Sequence, residues 1–175
     1  MNRKAIKIAL KSIILLALMT LVIMPEVYAG KIQVPQGTEV KVRFDPSMKI
    51  NSGKLVKGVP LLISLDEPVI IGGKVVVDKG AQGKAEVLEV VRASKPGKPG
   101  YIKIGFKELS PKGEYATPEG APIKLSGEQE AKGKGKKILS YLFIFGLLIK
   151  GGQAELSAGQ IYTAQVSETI IMESK

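Results

Sequence analysis

The sequence predicts an all-β fold, a small β-barrel or β-sandwich of short antiparallel strands, and three observations carry that prediction. Apolar and charged residues alternate with period two in stretch after stretch, as in Val40-Lys41-Val42-Arg43-Phe44, the pattern of a strand with one buried and one solvated face. Clusters of Gly, Pro, Asp and Asn punctuate these stretches at short, regular intervals, which is the grammar of a sandwich or barrel. The chain has no cysteine, so a fold of this size must hold by sheet closure and packing rather than by disulfide bridges.

The amino terminus reads as an address label. Arg3, Lys4, Lys7 and Lys11 precede an apolar core over residues 13–24, Pro25 breaks it, and Val27-Tyr28-Ala29 offers a cleavage site before Gly30. This is the layout of a cleavable signal peptide over residues 1–29. Its apolar segment is shorter than the roughly 20 residues of a spanning helix, and no cysteine follows it to take a lipid. Residues 30–175 then form a single exported β-rich domain, expected in the periplasm or at the outer-membrane periphery of a bacterium. Losing residues 1–29 removes four basic residues and Glu26, which lowers the formal charge from +10 to +7.

Within that domain the elements follow in order. Ile32 and Val34 begin a strand, Pro35-Gln36-Gly37 bends it, and residues 40–44 alternate. Residues 47–50, between Asp45-Pro46 and Asn51-Ser52-Gly53, read as loop. Residues 59–65 make a more continuous apolar strand that ends at Asp66-Glu67-Pro68, since proline cannot donate in a central ladder. Residues 69–77 read as a hairpin about Gly72-Gly73, a pair suited to a two-residue turn at positive φ. Residues 83–92 and 101–107 are strands, and the basic segment 93–100 is the tip or loop between them. Turn formers fill residues 108–118, Ile123-Lys124-Leu125 is a short strand, and residues 154–166 supply two final strands about Ser157-Ala158-Gly159.

One stretch departs from this grammar. Residues 138–149 are an almost unbroken apolar run, reached through a Gly- and Lys-rich approach over residues 127–137, and the whole insertion spans residues 132–152. As a helix, twelve residues reach about 18 Å, well short of a hydrocarbon core of about 30 Å. As a strand they reach about 40 Å, but a lone strand cannot satisfy its backbone in lipid. Three covers stay open: the barrel's own core, a membrane surface entered to shallow depth, or a protein contact, either an envelope partner or a second copy. The membrane or partner contact residues are Ile138, Leu139, Tyr141, Leu142, Phe143, Phe145, Leu147, Leu148 and Ile149. Lys132, Lys134, Lys136, Lys137 and Lys150 flank them as contacts to an anionic surface. Lys-Gly-Lys-Gly-Lys-Lys at residues 132–137 lacks the terminal Ser or Thr of a phosphate-binding loop, and reads as a solvated cationic hinge.

Composition narrows the chemistry further. With neither histidine nor cysteine, the usual general base, the thiolate nucleophile and the commonest metal ligands are missing. The carboxylate pairs Asp66-Glu67 and Glu86/Glu89 lack a partner base and read as surface or strand-end residues, while Glu128 and Glu130 could pair with the lysines of the approach. The expectation is a non-enzymatic protein with no cofactor, no metal and no small-molecule substrate. Scarce aromatics and no tryptophan argue against nucleic acid in spite of the charge. A structural or interaction module fits, and so does a binding module for anionic cell-wall or surface polymer that uses the lysines at 95–98 and 132–137.

Four bends share a shape, with glycines at 37, 80, 120 and 159, spaced 43, 40 and 39 residues apart, a spacing that flags repeated units. Val34-Pro-Gln-Gly37-Thr38, Val77-Asp-Lys-Gly80, Ser110-Pro-Lys-Gly113 or Thr117-Pro-Glu-Gly120-Ala-Pro-Ile-Lys-Leu125, and Leu156-Ser-Ala-Gly159 fall in an order that resembles the C-terminal β-barrel domain of the TrbI-like conjugation and type IV secretion scaffold family. The resemblance covers roughly residues 32–170. It implies a barrel with an apolar insertion toward the outer membrane in the interval of residues 138–149. That family has an uncleaved anchor and a long Pro-rich linker, so a stand-alone exported barrel of the same general type is what the resemblance implies here.

Overall fold

The structure, a computed structural model, describes residues 30–94, 97–134 and 151–175. Fourteen strands occur among them: β1 (Ile32–Val34), β2 (Glu39–Phe44), β3 (Ile50–Asn51), β4 (Pro60–Leu65), β5 (Val69–Ile71), β6 (Lys74–Val77), β7 (Gln82–Val91), β8 (Tyr101–Leu109), β9 (Tyr115–Ala116), β10 (Ile123–Ser126), β11 (Glu128–Lys132), β12 (Glu155–Leu156), β13 (Tyr162–Val166) and β14 (Ile170–Ser174). The fold is all-β, as the alternation predicts.

Six strands close an antiparallel barrel in the order β10-β13-β2-β4-β7-β8, with β8 returning to β10. Closure rests on β10, which is shared. Ile123 and Lys124 pair with Leu109 and Glu108 of β8, and then Leu125 and Ser126 pair with Val166 and Gln165 of β13. At Gly127 (φ 119) the chain turns away from β13 and continues as β11, which stays on β8 from Gly105 to Tyr101. A closed barrel has no long edge to protect.

Alternation decides what lies inside. β2 contributes Val40, Val42 and Phe44, β4 contributes Leu61, Ile63 and Leu65, and β8 contributes Ile102, Ile104, Phe106 and Leu109, all buried. Phe44 stacks on Phe106 at 6.2 Å between ring centroids and meets the edge of Tyr162 at 5.2 Å. The β7–β8 register slips between Val87 and Glu89. Gly105 leaves room there, because a Cβ on it would lie 2.9 Å from Leu88 Cδ1. The described hydrophobic core runs from Val34 to Met172, and residues 31–175 form one compact unit.

Strand directions sort the connections between two ends. β2, β7 and β11 run toward an end that carries residues 45–59, 92–94, 97–100, 133–134 and 151–161, and β4, β8 and β13 run away from it. The far end carries the β5–β6 ribbon and a three-stranded sheet in the order β1-β14-β9. Gly72 and Gly73 sit at φ 58 and 80 in the ribbon's turn, as a two-residue hairpin requires.

Several expectations need correction. Ile50 belongs to β3, which pairs with β12, so residues 47–50 are not all loop. Residues 128–132, expected in a solvated approach, form β11 because their backbone completes the β8 ladder. Turn formers at 108–118 enclose β9, and the unexpected β14 pairs with both β1 and β9. Asp66 is buried rather than solvated, since the Arg43 guanidinium and the more distant Lys79 ammonium (3.9 Å) neutralise it. Glu128 and Glu130 pair with Lys103 of the barrel wall, at 2.6 and 3.6 Å, rather than with the lysines of the approach. Of the four recurrent bends, Gly37, Gly80 and Gly120 take positive φ and Gly159 does not. Residues 1–29 lie outside the described residues.

Candidate functional site

The end that carries residues 45–59, 92–94, 97–100, 133–134 and 151–161 holds both feet of the apolar run and the flanks of the β7–β8 tip. β11 delivers the chain to Lys134, and it returns at Gly151. The two feet are hydrogen-bonded to each other and to the β7–β8 tip. Gly152 N donates to Lys134 O at 2.9 Å, Gly133 N to Gly100 O at 2.8 Å, and Gly100 N to Gly152 O at 2.9 Å. Ser94 and Lys98 close the tip through reciprocal 3.0 Å bonds. Backbone packs so tightly here that a Cβ on Gly133 would strike the Gly152 carbonyl, and one on Gly151 would strike the Lys98 carbonyl. Glycine is required at these positions for close approach.

A small polar cluster stitches the three connections together. Ser52 is fully buried. Its hydroxyl donates to Gln153 Oε1 at 2.6 Å and accepts from Ala154 N at 2.9 Å. Gln153 Oε1 also accepts from Ala93 N at 3.1 Å. Residues from all three connections therefore share one set of bonds, which satisfies backbone groups that would otherwise be buried without partners. Beside it, the β3–β12 ribbon borders an open concavity of about 460 Å³ lined by residues that include Met48, Lys49, Asn51, Lys54 and Glu155.

On the adjoining wall a shallower concavity of about 540 Å³ is lined by Glu89, Val91, Tyr101, Glu130, Ala131 and Lys132. Partial removal from water pushes the Tyr101 phenol up, and Glu130 adds to the rise. The Lys103 ammonium is held up by its bond to Glu128. Among the described residues no group of three or more Asp or Glu is placed to hold a metal ion.

Of the residues singled out in the sequence, Lys132 ends β11 opposite Tyr101 and Lys134 follows at the outgoing foot, both exposed. Ile138, Leu139, Tyr141, Leu142, Phe143, Phe145, Leu147, Leu148 and Ile149, with Lys136, Lys137 and Lys150, lie outside the described residues. Lys98 joins Lys132 and Lys134 at this end, while Lys95 lies outside the described residues. Sequence reasoning missed Lys49, Lys54, Lys57 and Arg92, which are exposed on neighbouring connections of the same end. Counting strand reversals from β2 to β7 would have found them.

The chain matches no known family model, curated protein or solved structure in comparisons with all three.

Proposed function

We propose that this chain is a non-enzymatic, exported cell-envelope barrel that serves as a structural or interaction module and associates with a membrane through residues 138–149. One observation carries the proposal. The chain that contains the apolar run leaves and re-enters the barrel at a single end, on two feet bonded to each other, so the barrel acts as a mount for that segment. A segment rich in Leu, Ile and Phe and flanked by lysines suits shallow insertion among lipid head groups. The bends at Gly37, Gly80, Gly120 and Gly159 supply the proposed kinship with the TrbI-like barrel domains.

Fractionation tests it. The chain is expected to stay in a membrane fraction through a high-salt wash, and a variant with residues 138–149 replaced by a Gly/Ser linker is expected to be released by that wash. Recovery of the unaltered chain as a soluble periplasmic or cytoplasmic protein would overturn the proposal. A second reading, a module for anionic cell-wall polymer, is favoured by the convergence of Lys98 with Lys132 and Lys134. It predicts retention on purified wall polymer that fades steeply as salt is raised.

A further inference from the structure

We infer that the connection-bearing end of the barrel is itself a docking face for an anionic phospholipid bilayer, formed by a collar of basic and apolar side chains on its fixed loops. The inference rests on the envelope reading for where such a bilayer would be met, but it does not depend on residues 138–149.

Charge is distributed unevenly over the barrel. The described residues of this end, with Lys132 as the last residue of β11, include seven basic side chains, Lys49, Lys54, Lys57, Arg92, Lys98, Lys132 and Lys134, against Asp45 and Glu155, while Glu89 and Glu130 share the wall concavity with Lys132. The remaining described residues from residue 30 onward hold eleven basic residues and thirteen acidic ones. An excess of positive charge is therefore confined to one end. Its two carboxylates are engaged by uncharged donors, Asp45 by the Ser47 amide and hydroxyl and Glu155 by the Asn51 amide group.

Ion pairing follows the same division. Eight of the eleven basic residues elsewhere are in ion pairs, among them Lys31 with Glu173 and Lys84 with Glu108, whereas none of the seven at this end is in an ion pair among the described residues. Cations with no ion-pair partner among the described residues are available to an external anion. Such an array is drawn toward an anionic surface within about one Debye length, roughly 8–10 Å at physiological salt.

Apolar side chains at the same end select among anions. Val56 is 57% exposed between Lys54 and Lys57, Val91 is 47% exposed beside Arg92, and Ile161 is 44% exposed just before β13. A hydrated acidic polymer gives such side chains nothing to bury against. A bilayer offers phosphates to the lysines and, just below them, acyl chains to the valines and isoleucine. The collar is also held rigidly, because Ser52 and Gln153 tie its three connections together, so little ordering is needed on contact.

The test uses the unit of residues 31–175 and vesicles of either phosphatidylcholine alone or phosphatidylcholine with phosphatidylglycerol. Three variants are compared with it: Lys54→Glu with Lys57→Glu, Val56→Ser with Val91→Ser, and the Gly/Ser replacement of residues 138–149. Circular dichroism and thermal melting confirm that each remains folded. Expected are binding to phosphatidylglycerol vesicles that falls with salt, a loss of roughly tenfold or more in the charge-reversed variant, and a smaller loss in the valine variant. The linker variant should retain salt-sensitive binding to the anionic vesicles. Unchanged binding in the charge-reversed variant would overturn the collar whatever the linker variant does. Equal binding by the linker variant and the unaltered chain would instead overturn the role of residues 138–149 and leave the collar standing. Binding to soluble polyglutamate as tight as to vesicles, with no effect of the valine substitutions, would make the face an acidic-polymer site and overturn the bilayer assignment.

Discussion

Phe44 occupies the place where three strands of the barrel meet in the interior, with Phe106 stacked on it and Tyr162 against it edge-on. It is fully buried, so truncation removes both its transfer free energy and two aromatic contacts. Phe44→Ala should cost about 3–5 kcal/mol in denaturant unfolding. Tyr162 adds a pH-dependent contribution. Burial pushes its phenol above the ordinary value of 10.0, and the hydroxyl donates to Ser157 O at 2.9 Å. The unfolded chain therefore ionises first. Stability linked to this group is fully present below pH 10 and is lost as pH rises through the folded value. In alkaline melts Tyr162→Phe should lose less stability than the unaltered chain, and an equal loss would show that the phenol does not contribute. Ser52 is the third position with a clear expectation. Ser52→Ala leaves Gln153 and the Ala154 amide short of partners and should cost about 1–3 kcal/mol, with faster hydrogen exchange at Ala93 and Ala154.

At the scale of elements, the glycine knot at the feet makes a sharper demand than any one strand. Gly133→Ala would push a methyl group into the Gly152 carbonyl. It should lower the melting temperature, by an amount consistent with about 1–3 kcal/mol, and loosen residues 93–100 more than the barrel walls. Gly37→Ala makes the contrast. Its φ of 81 is unfavourable for alanine, yet nothing lies within 4 Å of the added Cβ, so only the backbone cost of about 1 kcal/mol remains. The same contrast explains what the sequence could reveal. Strands with a buried face announced themselves through alternation, as in β2, where Val40, Val42 and Phe44 are buried between more exposed neighbours, and the hairpin announced itself through Gly72-Gly73. β11 did not, because Glu128, Glu130 and Lys132 give it little apolar content, and its pairing partner β8 lies more than twenty residues upstream. β3 and β12 are two residues each and exist only as partners of one another. The lysine-rich end was half legible: Lys132 and Lys134 stood out in a run, whereas Lys49, Lys57 and Arg92 join them only through the up-and-down order of the strands.

The whole molecule is held by pairings between distant parts of the chain. β1 pairs with β14, Ile32 opposite Met172 and Val34 opposite Ile170, and a Lys31–Glu173 ion pair at 2.9 Å lies beside them. Such long-range pairing must form late and favours slow folding for the chain's size. Truncation after Thr169 would remove Met172 from the core and leave Val34 uncovered, so a marked fall in the denaturant midpoint is expected.

That β1–β14 pairing also fixes the geometry of handling. Lys31 and Lys175 both lie at the end of the barrel opposite the basic collar, which makes Lys175 a natural point for a tether. Protein fixed to a sensor chip through a tag after Lys175 would present its collar to the flowing solution, whereas protein fixed through a cysteine introduced at Val56 would turn that face toward the support. The two orientations should differ in vesicle capture while remaining equally visible to an antibody against the barrel wall, giving an optical readout of which end of the molecule is adhesive.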